Sequence, residues 1–363
     1  MKVAIIHEWL TIYGGSERVV EQLLKIYPQA DIFTTVYNEK NMGHIFPKEK
    51  VHTSFMQGIP FSKKFYTKML HLMPRAFESF DLSEYDLVLS SSHSCAKGVI
   101  TSAETTHISY IHTPMRYAWD LYHDYLKSSG FITRIAMKRI LPKIRQWDAL
   151  SSLRVDKFVA NSSIVKKRIN KVYRRDAEVI YPPVNTDFFV PNNKDPEDFF
   201  LILSRFIPYK KIDLAIEACN KLGKRLIILG AGPQKKELKN IAGPTIEFTG
   251  RLSDEESRGY YQRCKAFLFP GYEDFGITPV EAQACGRPVI AYGKGGALDS
   301  IISEKTGVFF PEQTVESFIE GIKAFEKTDF DSLEIRKHAE TFSNEEFIKK
   351  MKEFISLQIA SNF

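Results

Sequence analysis

Cysteine is scarce in this chain. Four residues in 363, Cys95, Cys219, Cys264 and Cys285, are scattered with no CxxC pair and no ligand-like cluster. That excludes a disulfide-stapled scaffold and fits thiols used as small core residues in a reducing compartment. Long apolar runs are also missing. No stretch approaches the roughly 18–20 residues a membrane-spanning helix needs, and the opening MKVAIIHEWL turns polar too soon for a secretory leader. The expectation is a cytoplasmic protein. No His/Cys group has zinc spacing, and there is no GxSxG elbow or complete P-loop. Asp329-Phe330-Asp331 has DxD spacing but lies in a polar stretch, not behind a buried strand, and reads as turn chemistry. No metal or other cofactor is expected.

Acidic residues are absent from two basic segments. Phe61 to Arg75 (FSKKFYTKMLHLMPR) and Lys127 to Trp147 (KSSGFITRIAMKRILPKIRQW) carry Lys and Arg among Phe, Leu, Met and Ile, with no Asp or Glu. Two readings stay open: a face resting on an anionic bilayer, which would make the protein peripheral at the cytoplasmic side of a membrane, or two ordinary basic surface helices. No nucleic-acid motif accompanies the charge, and the net charge is only +6.

What is plentiful is core material. Hydrophobic residues make up 44% and aromatics 13% of the chain, enough for two domains. Eleven apolar runs, among them KVAIIH, DLVLSSS, HISYIHT, FFLILSRF, RLIILGAG, AFLFPGY and PVIAYG, are continuous rather than alternating. Such runs predict strands buried on both faces, hence parallel sheets covered by helices. Helical patterns such as SERVVEQLLKIY, DLAIEACNKLG and DEESRGYYQRC alternate with them. The expected class is α/β, with two Rossmann-like doubly wound domains facing a cleft. The Pro- and Asn-rich segment after Tyr181 sets the boundary: 1–183, 184–342, and a last helix over 343–363 that packs back on the first domain.

The most telling segment is EDFGITPVE. Glu273 and Glu281 lie eight residues apart, separated by a glycine turn and the start of a helix. Free N–H groups at that helix start, near Thr278, suit a phosphate, and a carboxylate on each side can grip hydroxyls. Arg205 and Lys210 follow the strand FFLIL, where open α/β sheets bind ligands, and together can neutralise a diphosphate. Taken alone they also fit a solvated basic loop, and Lys211 is the weaker of the two lysines. Gly230-Ala231-Gly232 and Thr249-Gly250-Arg251 are further strand-end loops, the first able to line a nucleotide crevice, the second able to offer groups to a base edge. In the first half, Gly14-Gly15-Ser16 follows strand one, with Ser16 as a helix cap. His112 ends a later strand, and His7 ends the first; each is either a ligand-facing residue or a hydrogen-bonded structural one.

The motifs SRFIPYKKID, LGAGP, FTGRLSDEE and FPGYEDFGITPVEAQACGRPVIAYGKGG resemble those of retaining GT-B glycosyltransferases of family four. The first half, with HEWLTIYGGSERV, SSSHSCAKGV and YIHTPMRYAWDLYHDY, is similar to a bacterial subgroup of mannosyltransferases of O-antigen and capsule assembly. The resemblance implies that Arg205 and Lys210 hold the donor diphosphate and Glu281 the ribose hydroxyls. Glu273 would sit near the donor sugar, and the amides of Phe275, Gly276 and Ile277 would touch sugar and phosphate. Gly15 matches the first-domain glycine loop and His112 a histidine beside the donor sugar. Lys211 stands where many relatives have Gly. The implied activity is metal-independent transfer of a hexose, mannose from GDP-mannose, to a lipid-linked oligosaccharide. Alternatives are a UDP-glucose or UDP-GlcNAc donor, and an epimerase or sugar-nucleotide-binding protein of the same fold.

Overall fold

The computed structural model describes residues 1–192 and 194–361. Their contacts form two compact units, Met1–Pro182 with Phe347–Phe363, and Pro183–Glu346. The final helix, Asn344–Ser361, thus belongs from Phe347 onward with the N-terminal unit.

The first unit is built on seven strands: β1 Val3–His7, β2 Asp31–Thr34, β3 Val51–Thr53, β4 Leu87–Ser92, β5 Thr106–Ile111, β6 Lys157–Ala160 and β7 Ala177–Val179. They pair in parallel in the order β3-β2-β1-β4-β5-β6-β7. Successive residues of β1 point to opposite faces, and both faces are covered. Val3 and Ile5 pack with Leu87, Leu89, Tyr110 and the last helix's Phe347, Met351 and Ile355. Ala4 and Ile6 pack with Val88, Met73, Phe77, Leu141 and Ile144. Two-sided burial is the physical reason that the strands read as unbroken apolar runs.

The second unit has six strands: β8 Phe200–Leu203, β9 Leu226–Leu229, β10 Ile246–Gly250, β11 Ala266–Phe269, β12 Val289–Tyr292 and β13 Gly307–Phe310. Their order is β10-β9-β8-β11-β12-β13, again all parallel. In each unit the chain winds outward from a central strand in one direction, returns, and winds outward in the other. The reversal falls between β1 and β4 in the first unit and between β8 and β11 in the second. Loops leaving the carboxyl ends of those strand pairs diverge and open a crevice, the usual ligand position in such sheets.

Two strands, β3 and β13, lie outside the eleven runs read from the sequence. Both are edge strands of three or four residues. Asp331 of the DxD triplet is the N-cap of the helix Ser332–Glu340, accepting a hydrogen bond from the Leu333 amide at 2.8 Å. Among the described residues no helix is long and apolar enough to cross a membrane.

Candidate functional site

In the second unit the crevice is formed by the loop after β8, which carries Arg205 and Lys210, and the loop after β11, which carries Glu273. Ser204, Lys210, Pro270, Gly271 and Glu273 line a hollow whose floor is Ile202, Leu203, Leu268 and Phe269 of the two strands. Lys210 and Glu273 form an ion pair across it, Nζ against Oε1. Glu273 is buried, and its Oε1 meets the ammonium by charge contact rather than in hydrogen-bond geometry. Arg205 is exposed at the end of β8. The two loops touch closely: a Cβ on Gly271 would lie 3.1 Å from Lys210 Cα.

The turn then reverses at Gly276, whose φ of 93° lies in the left-handed region. A Cβ there would also stand 2.5 Å from the Phe269 ring, so glycine is required twice over. The helix Ile277–Ala284 starts at once, and no side chain caps it. Its first N–H groups, near Ile277 and Thr278, are therefore available to an anion. Glu281 lies five residues into the helix. It is buried, and its Oε2 accepts from Tyr261 Oη at 2.9 Å, which fixes the carboxylate's orientation.

The glycine loop after β9 has a packing role. A Cβ on Gly230 would fall 1.9 Å from the Ser204 carbonyl oxygen, and one on Gly232 2.4 Å from that of Phe206. These glycines let the loop lie against the backbone on either side of Arg205. Gly232 thus supports the Arg205 loop. Arg251 is exposed in the bend after β10. Lys211 takes φ 53° without being glycine, so the backbone expected of Gly at this position is kept.

In the first unit, His7 ends β1 and His112 follows β5. His7 Nε2 sits 3.3 Å from Glu17 Oε1, and its Nδ1 sits 3.2 Å from Ser91 Oγ. Ser91 Oγ lies 2.8 Å from His112 Nε2. Burial, reinforced by neighbouring His93 and His7, holds the His112 imidazole well below the usual histidine range. Gly14 is the residue before the helix Gly15–Ile26 and offers no side-chain cap. Ser16 lies inside that helix and donates to Glu17 Oε2 at 3.0 Å, so the expectation that Ser16 caps it is corrected. A Cβ on Gly14 would come 3.2 Å from Glu17 Oε2.

Several residues escaped sequence reasoning. Glu8 is fully buried and fills the concavity of the loop after β4. It accepts from the amides of His93, Ser94, Cys95 and Ala96 and from Ser92 Oγ, at 2.7–3.1 Å. An internal carboxylate therefore occupies that nest of N–H groups. Gly295 and Gly296 brace the Glu273 loop, since a Cβ would fall 2.5 Å from Glu273 O and 2.3 Å from Phe275 Cα respectively. The paired glycines of GKGG were a visible signal; Glu8 and Tyr261 left none.

Residues 13–188 match the family model Glycosyltransferase Family 4, and residues 184–346 match the model Glycosyl transferases group 1. An uncharacterised glycosyltransferase of Methanocaldococcus jannaschii is 29% identical over 158 residues, covering 42% of this chain and 44% of that protein. The human alpha-1,3/1,6-mannosyltransferase ALG2 is 28% identical over 197 residues, 45% of this chain and 47% of that one. The chain thus spans under half the length of these two relatives. Among solved structures, the sucrose-phosphate synthase of Thermosynechococcus elongatus aligns with a TM-score of 0.74 at 18% identity, over 99% of this chain and 100% of that one. Anabaena HepE in complex with UDP aligns with a TM-score of 0.71 at 15% identity, over 98% and 100%. At these identities the structural likeness is one of fold. Each half of the chain thus matches a glycosyltransferase family model, and the chain shares the two-domain fold of these structures.

Proposed function

We propose that this chain transfers a hexose from a nucleoside-diphosphate donor to an acceptor hydroxyl, with retention of anomeric configuration and without a metal. The observation that carries this reading is the Lys210–Glu273 ion pair, set between the loops after β8 and β11 and followed directly by an uncapped helix N-terminus. Lys210, Arg205 and the amides near Ile277 and Thr278 meet the diphosphate. Glu273 accepts from sugar hydroxyls, and Glu281, oriented by Tyr261, accepts from the ribose. In the chemical step the bond from the anomeric carbon to the phosphate oxygen breaks and a bond to the acceptor oxygen forms on the same face. The acceptor proton passes to the departing phosphate. Lys210 stabilises the charge growing on that group, and His112 orients the sugar.

Mannose from GDP-mannose is the donor we favour, supported by the first-half motifs and by the mannosyltransferase relative. A UDP-linked donor is the second reading, supported by the UDP held by the Anabaena structure of the same fold. The acceptor we propose is a lipid-linked oligosaccharide at an anionic membrane surface. Phe131 and Ile132 are 76% and 82% exposed at the start of the helix Phe131–Ser151, beside exposed Arg134, Lys138 and Arg139. Phe61 is 76% exposed beside exposed Lys63, Lys64 and Lys68. Both segments send Met69, Leu70, Met137 and Ile140 into one core cluster, leaving these aromatic and basic groups outside.

NMR of the product formed from GDP-mannose or UDP-glucose and a polyprenyl-diphosphate-linked acceptor tests the reaction. An α-linked hexose is expected; an inverted linkage, or epimerised donor with no transfer, overturns it. Co-flotation with anionic vesicles at low salt tests the surface, and Phe131→Ser with Ile132→Ser should abolish it. Absence of co-flotation by the unaltered chain removes the membrane.

A further inference from the structure

The first unit contains a linear chain of polar groups that ends on His112: Glu17 Oε1 to His7 Nε2 at 3.3 Å, His7 Nδ1 to Ser91 Oγ at 3.2 Å, and Ser91 Oγ to His112 Nε2 at 2.8 Å. Its members come from separate elements. Glu17 is in the first turn of Gly15–Ile26, His7 ends β1, Ser91 lies opposite His7 in β4, and His112 follows β5. Glu17, His7 and Ser91 are all buried, so water does not compete for these bonds. Glu17 Oε2 is occupied by Ser16 Oγ at 3.0 Å.

Each bond needs one proton, and the chain has two arrangements; the Ser91 carbonyl oxygen, 3.3 Å from His7 Nδ1 and able only to accept, is a second partner for any hydrogen on that nitrogen. An ionised Glu17 only accepts, so His7 Nε2 must carry hydrogen. With His7 neutral, its Nδ1 has a lone pair and Ser91 Oγ–H points at it. Ser91 Oγ then accepts from Nε2–H of His112, and His112 Nδ1 is left as an acceptor. Hydrogen on Nδ1 of His7 reverses every member. Nδ1–H of His7 donates to Ser91, Ser91 Oγ–H turns to His112 Nε2, and the His112 proton sits on Nδ1, which becomes a donor. Burial opposes ionisation of Glu17, but the hydrogen bond and charge of His7 outweigh it and hold the carboxyl below its ordinary range. His112 itself is held neutral by burial, so its tautomer rather than its charge is the variable. Other groups facing the chain are His93, 6.3 Å from His7 and 6.1 Å from His112 between ring centres, and the Tyr110 ring at 5.2 Å from His112. Glu8 is spent on the loop after β4.

We infer that Glu17, His7 and Ser91 are positioning residues that set which nitrogen of His112 bears the proton, and so whether His112 offers a substrate hydroxyl an acceptor or a donor. The consequence for catalysis rests on the role proposed for His112 in glycosyl transfer; the tautomer does not.

Long-range 1H–15N correlation of imidazole-labelled full-length protein reads the tautomer directly. At pH 8 the unaltered chain should show His112 as the Nε2–H form. Ser91→Ala should give mixed tautomers with no coupling to His7. Glu17→Gln, whose amide can donate as well as accept, no longer obliges His7 Nε2 to carry hydrogen and should give His112 a mixture of tautomers. A His112 tautomer identical in all three proteins overturns the inference, and either variant alone suffices to show it. If the tautomer responds as stated but the protein transfers no sugar, the proposed function fails and the positioning chain stands.

Discussion

Lys210 and Glu273 neutralise each other across the hollow. An ammonium and a carboxylate in contact spare each other part of the cost of burial, and the lysine can turn to a diphosphate as it arrives. Lys210→Ala should lower kcat by about 10²–10³-fold with a smaller change in KM, because its interaction grows as charge develops on the leaving group. Steady-state kinetics on the purified variant check this, and unchanged kcat contradicts it. The residue types at this site were legible in the sequence as opposite charges placed after apolar strands. Their pairing was not, since Lys210 and Glu273 meet only because β11 returns to lie beside β8. Glu17 was invisible for a similar reason: nothing local distinguishes it from any acid in the first turn of a helix.

At the scale of elements, backbone geometry shapes the site. The strand β11, the turn at Gly276 and the helix Ile277–Ala284 were readable from AFLFPGYEDFGITPVEAQACG, because an apolar run, a glycine and a helical pattern follow in order. Gly276→Ala places a Cβ in a left-handed backbone and against Phe269, and should cost on the order of 1–3 kcal/mol of stability. Urea unfolding measures it; a loss under 0.5 kcal/mol, roughly the scatter of surface substitutions, contradicts the steric account. The fully buried Lys97 links the loop after β4 to the helix Phe131–Ser151. Its Nζ donates to Asp148 Oδ1 at 2.5 Å and Ser151 Oγ at 2.9 Å, while Tyr173 and Trp119 donate to the same Asp148 carboxylate. Lys97→Met strands that carboxylate and should destabilise the first unit by about 3–5 kcal/mol. A denaturant midpoint equal to that of the unaltered protein contradicts this. The edge strands β3 and β13 escaped the sequence because three or four residues carry too little pattern to separate from a turn.

For the whole molecule, the continuous apolar runs fixed the class, two parallel sheets covered on both faces, while the positions of the loops between them waited on strand order. Buried histidines give the protein a predictable response to acid. His107 is buried, with Nε2 at 2.9 Å from Ser90 Oγ and Nδ1 at 3.2 Å from Arg154 O, and burial pushes its pKa down to about 4 from 6.5. The unfolded chain therefore binds the proton first. The stability from this neutral histidine is complete above about pH 6.5 and is lost as pH falls towards 4, by on the order of 3 kcal/mol. His93 and His112 shift in the same direction. Urea midpoints at pH 7.5, 5.5 and 4.5 (about that spacing suffices) should fall steadily, and a flat series contradicts the account.

The central claim, that the second unit grips a nucleoside diphosphate between the loops after β8 and β11, is tested most directly by calorimetric titration of the full chain with GDP-mannose, GDP, UDP-glucose and UDP. Saturable binding of one nucleotide pair, weakened at least about tenfold (1.4 kcal/mol) by Arg205→Ala and by Glu281→Gln, is the predicted result. Binding that both substitutions leave unchanged, or no binding of any of the four, contradicts it.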